Sequence, residues 1–103
     1  MQHQLVLQFR HRPLEPHDYV GALEIELAQT LGSAVQMDGH DIGSRAINLF
    51  ILAADPASVF RRCKPVLEKG QLLDRVTAAH RVVGGERFKV IWPLRVRRKF
   101  ALS

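Results

Sequence analysis

Asp38, His40 and Asp41 put two carboxylates and an imidazole within four residues, the composition of a divalent-metal site or of an acid–base pair. The glycines beside them, Gly39 and Gly43, imply a sharp turn, read as the tip of a β-hairpin. Calcium would need more oxygen ligands at regular spacing with a closing Glu, and zinc would need further His or Cys from a distant part of the chain. Asp is favoured in such turns for a plainer reason, because its carboxylate bonds the local backbone. The spacing therefore favours a structural turn, with a metal, small-ligand or enzymatic site at Asp38, His40 and Asp41 as the alternative. No cofactor is expected.

Ser44 or Ser58 could be paired with one of the five histidines, but neither serine lies in a nucleophile elbow. Cys63, the lone cysteine, falls on an apolar stripe and reads as a small core residue. Enzymatic activity is accordingly not the favoured reading. A single cysteine excludes an internal disulfide framework and suits a reducing compartment. The amino-terminal residues lack a basic stretch followed by a long apolar run, so the expectation is a cytoplasmic protein with no membrane insertion.

The formal charge is +5, but Arg95, Arg97, Arg98 and Lys99 carry four positive charges close to the C-terminus, which leaves the rest nearly neutral. That tail is expected to meet an acidic protein partner or another polyanion. Nucleic-acid binding by the body is not expected. RNA-recognition sheets stack bases on paired aromatics of their central strands, whereas R-A-I-N-L-F-I-L at 45–52 offers Phe50 alone.

The elements that would position these groups follow from periodicity. Residues 4–10 alternate, with Leu5, Leu7 and Phe9 on one side, the period of a strand buried on one face. A helix runs from an N-cap at Asp18 to about Leu31, with Val20, Leu23, Leu27 and Leu31 inward and Gly32 just beyond its end. Residues 33–38 form a short strand with Val35 and Met37 inward, and the glycine turn leads into 46–53, apolar on both phases and hence central. Asp55-Pro56 caps a second helix over 56–69. Pro65 inside it predicts a kink or a break near Lys64. Alternating runs at 75–83 and 87–92 flank Gly84-Gly85, a hairpin signal.

Order β-α-β-β-α-β-β describes a ferredoxin-like plait with one added strand: a single α+β domain over residues 1–93, then a basic tail over 94–103. The expected strand order is 5-4-1-3-2, with both helices on one face. The core is expected to hold Val59, Phe60, Leu67, Val76, Val82, Phe88 and Val90 besides the inward residues above and Ile47, Leu49 and Ile51. His80 shares the phase of Val76 and Ala78, which suits a core-edge histidine bonded to a backbone carbonyl, and His3, His11 and His17 are expected in solvent.

The runs D-G-H-D-I-G, N-L-F-I, A-D-P with a following F, K-P-V-L-E and V-I-W-P span residues 5–93 and resemble a family of small bacterial ferredoxin-like proteins of undefined function. The resemblance implies the plait and no activity or site residues. The basic tail departs from that pattern.

The helix-free face of such a sheet should show an apolar centre of Val6, Phe50, Leu52 and Ile91, with Asn48 beside it, inside a frame that includes Gln8, Arg10, Arg75, Thr77, Arg81 and Lys89. Phe88 and Trp92 make the last strand unusually apolar for an outer one, which invites strand addition. The expectation is a non-enzymatic protein-interaction domain, an adaptor or an immunity-type binding protein, acting as a homodimer through this face and edge. The tail folding back across the face is the competing cover.

Overall fold

The computed structural model describes residues 2–10, 19–94 and 100–102. Strand β1 (His3–Arg10) lies at the centre of a five-stranded antiparallel sheet because both of its phases are wanted: Leu5, Leu7 and Phe9 are fully buried on one side and Val6 on the other. Burying each such side chain stabilises the fold by about 1.5–3 kcal/mol, more than the net gain from a typical hydrogen bond. Around it come β2 (Val35–Ile42), β3 (Ala46–Ala53), β4 (Val76–Val82) and β5 (Lys89–Trp92), in the order β2-β3-β1-β4-β5. This is the strand order expected.

Helices α1 (Tyr19–Leu31) and α2 (Pro56–Lys69) share one core cluster with Leu5, Leu7 and Phe9, and so cover one face. Val20, Leu23, Leu27 and Leu31 make the buried stripe of α1, and Gly32 follows it with φ 58°, the left-handed conformation that glycine adopts without strain. On α2, Val59, Phe60, Cys63, Val66 and Leu67 are buried, the Asp55 carboxylate accepts the Ser58 backbone N–H at 3.1 Å, and Pro56 opens the first turn. The helix nevertheless runs unbroken through Pro65, contrary to the break expected near Lys64. Proline deletes one backbone bond on a solvent-exposed side of the helix, while the apolar stripe before and after it stays anchored.

Two bulges account for the main departures from simple alternation. In β2, Met37 pairs with Ile51 and His40 with Leu49, so three steps on β2 match two on β3, with Gly39 at φ 81°. The turn into β3 lies later, at 43–45, where the Gly43 N–H bonds the Ala46 carbonyl at 2.9 Å. In β5, Val90 pairs with Ala79 and Trp92 with Ala78, which leaves Ile91 as the extra residue. The phase of β5 before Trp92 is therefore the reverse of the one expected. Val90 lies on the helix-free side opposite Ala79, while Ile91 and Trp92 pack against the core. Val82 is 40% exposed, and neither Phe88 nor Val90 belongs to the core cluster. Only Gly84 has positive φ in the β4–β5 connection; Gly85 approaches the Val82 carbonyl so closely that a Cβ would sit 3.0 Å from its oxygen.

Candidate functional site

The antiparallel register sets the helix-free face out in rows. Gln36, Leu52, Gln4 and Arg81 form one row, Phe50, Val6, Ala79 and Val90 the next, and Asp41, Asn48, Gln8 and Thr77 a third, with Ala46 and Arg10 at the end. Phe50, Leu52 and Val90 are half-buried, and between them Val6 and Ala79 are fully buried although no helix covers this side. The expected apolar centre therefore forms with one exchange: Val90 stands where Ile91 was assigned. The adjacent apolar pair Ile91-Trp92, which breaks strict alternation, is the sequence signal for that bulge.

A polar chain crosses the third row. The Asn48 side-chain N–H donates to Asp41 Oδ1 at 3.0 Å, and the Gln8 amide donates to Asn48 Oδ1 at 3.0 Å and to the Ala101 carbonyl at 2.9 Å. Asn48 is fully buried, so it braces the sheet rather than presenting a group to a partner. Ala101 belongs to the C-terminal segment, and the ring of its neighbour Phe100 packs tilted against Phe88 at a centroid distance of 5.0 Å. The Arg81 guanidinium lies 4.7 Å from the Phe88 ring centroid while its Nε donates to Gln4 at 2.9 Å. Phe88 is thus held within the chain, and the end of the tail covers part of the face.

Trp92, assigned to an associating edge, is also used internally. Its indole N–H donates to the Leu73 carbonyl at 3.2 Å, its ring lies 6.0 Å from that of Phe60, and the Lys64 ammonium sits 4.2 Å above it. Arg95, Arg97, Arg98 and Lys99, expected to bind an acidic partner, lie outside the described residues, as do His11, His17 and Asp18.

Strand β2 places the remaining candidates on different faces. His40 pairs opposite Leu49 and reaches the helix side, its Nδ1 2.7 Å from Glu24 Oε1, whereas Asp41 lies on the helix-free side with Asn48. As neighbours in a strand the imidazole and the Asp41 carboxylate point to opposite faces, and the bulge decides which face each takes, so Asp38, His40 and Asp41 do not converge at a hairpin tip. Among the described residues no group of three or more His, Cys, Asp or Glu side chains is placed to hold a metal ion. Cys63 is buried, and burial pushes its thiol up to about 12, against a smaller opposing pull from Arg62. At neutral pH it is a thiol, not a thiolate nucleophile.

The histidines depart from expectation as well. His3 is half-buried, with its ring edge-on to His80 at 5.4 Å. The Nδ1 atoms of both rings are buried without a hydrogen-bond partner among the described residues, so His80 lacks the carbonyl contact expected there for Nδ1. Burial first, then the nearby His3 and Lys89, lower the His80 pKa.

Comparisons with protein-family models, with curated proteins and with solved structures find no match. No helix among the described residues is long and apolar enough to cross a membrane.

Proposed function

We propose that this chain is a small non-enzymatic association module, a ferredoxin-like plait with one added strand, that pairs with a second copy of itself through the helix-free face of the sheet. The single observation that carries this reading is the half-exposed apolar surface of Phe50, Leu52 and Val90, in adjoining rows on the side that neither helix covers. The mode of contact differs from strand addition. Both outer strands, β2 and β5, carry bulges, and bulged edges disfavour continuation of the sheet into a neighbour. Face-to-face contact about a two-fold axis would instead bring Phe50 and Leu52 of each copy together within a polar frame that includes Gln36 and Arg81.

Light scattering across a concentration series tests this. Wild-type protein should approach twice the chain mass at high micromolar concentration, and Phe50→Asp with Leu52→Asp should stay at the chain mass with an unchanged far-UV spectrum. Wild-type protein that remains at the chain mass throughout would remove the reading.

A further inference from the structure

The geometry points to a binding site for a small phosphate-bearing anion at the end of the sheet, in a cleft to which Arg10, Arg45 and Arg75 all contribute. This goes beyond the association reading and does not depend on it. The cleft, of about 470 Å³, is lined by those three arginines together with Gln8, Thr77 and Asp74, and Pro93 and Ala101 lie on its wall. Its size falls within the range that holds a metabolite.

The fold gathers these charges from three separate places. Arg10 ends β1, Arg45 sits in the β2–β3 turn, and Arg75 immediately precedes β4. Antiparallel pairing of Arg10 with Ala46 brings Arg10 beside Arg45, and pairing of Gln8 with Thr77 brings the start of β4 alongside. Arg10, Arg45 and Arg75, against Asp74 as the one carboxylate among the described lining residues, give the cleft a positive lining in a chain whose body is nearly neutral. Neither Arg10 nor Arg45 has an acidic partner among the described residues. Arg75 lines the cleft while its guanidinium carbon lies 5.8 Å from the Tyr19 ring centroid, so Arg10 and Arg45 are the arginines on which the anion chiefly depends. An anion is drawn to such a positive lining and can accept paired N–H bonds from it.

The lining also selects among anions. Guanidinium forks match phosphate oxygens in a bidentate fashion, better than a point ammonium does. The Gln8 amide nitrogen is already committed to Asn48 and Ala101, which holds its side chain in place and leaves its carbonyl oxygen to accept from a ligand hydroxyl. Thr77 offers a hydroxyl donor, and Asp74 can take a ligand O–H or N–H. Among the described residues no aromatic ring lines the cleft, so the lining suits a phosphorylated polyol or sugar better than a stacked nucleobase.

Calorimetric titration of the full chain with inorganic phosphate, diphosphate and a sugar monophosphate tests the assignment. Saturable binding of at least one of these probes is expected. Arg10→Gln with Arg45→Gln should weaken it by about tenfold or more, since each charge-assisted bond is worth more than a neutral one. Arg61→Gln with Arg87→Gln removes the same charge from exposed positions outside the cleft and should change binding less than about twofold, the response to lost long-range attraction alone. The mutated arginines of both variants are exposed, and unchanged thermal melts establish that each is folded. Absence of saturable binding by all three probes, or equal weakening in the two double variants, overturns the proposal. Tighter binding of the sugar monophosphate than of phosphate assigns Asp74 and Gln8 to the organic portion; equal binding reduces the site to one for the phosphate group.

Discussion

Asn48 and His80 both carry buried polar atoms, and these are handled in opposite ways. Asn48 is fully buried but linked by hydrogen bonds to Asp41 and Gln8, so desolvation is offset. The His80 ring lies against His3, and the Nδ1 of each is buried without a hydrogen-bond partner among the described residues. Its pKa is lowered, chiefly by burial. In the window below the unfolded histidine pKa of about 6.5, the unfolded chain therefore binds more protons at this site. Stability from neutral His80 is present above that pH and is lost as pH falls through the folded value. Thermal melts between neutral and mildly acidic pH should show a falling midpoint for the wild type and a shallower fall for His80→Gln. A wild-type slope unchanged by the substitution would assign the acid sensitivity elsewhere. His80's placement in phase with Val76 and Ala78 was legible from alternation; its contact with His3 was not, because those residues meet only through pairing of β1 with β4.

Pro65 tests how strongly an element depends on its neighbours. Isolated, an α2-like peptide would be interrupted there; in the protein, Val59, Phe60 and Cys63 before it and Val66 and Leu67 after it are anchored in one core. Pro65→Ala restores an N–H to an exposed helical position, worth up to about 3 kcal/mol, against roughly 0.4–1 kcal/mol lost because the unfolded chain becomes less restricted. Net stabilisation of about 1–2 kcal/mol is expected in urea unfolding, and destabilisation would show that the ring itself supports the packing. Helix spans and the Asp55-Pro56 start were legible because caps and periodicity are local. The bulge in β2 was not, and the one in β5 left only the adjacent apolar pair Ile91-Trp92 as a trace. Each is an extra residue relative to a partner strand, and alternation along one strand carries no information about the count on its neighbour.

At the scale of the whole molecule, the C-terminal segment links residues far apart in sequence: Ala101 to Gln8, and Phe100 to Phe88. An aromatic pair of this kind adds about 0.5–1.5 kcal/mol beyond area burial. Phe100→Ala should therefore cost about 1–2 kcal/mol in urea unfolding, whereas no measurable change would mean that the segment leaves the face in solution. The sequence by itself determined the five strands and two helices, their order in the sheet, most of the core and the apolar character of the helix-free face. Those features follow from hydrophobic periods, caps and the handedness of crossovers, all of which operate over short stretches or depend only on chain order. Tertiary structure alone decided which face Ile91, Val90, His40 and Asp41 occupy, that Trp92 and Phe88 find partners within the chain, and that Arg10, Arg45 and Arg75 share one cleft. The physical reason is register: a one-residue bulge reverses every side chain beyond it, and pairing with the partner strand fixes where the bulge falls.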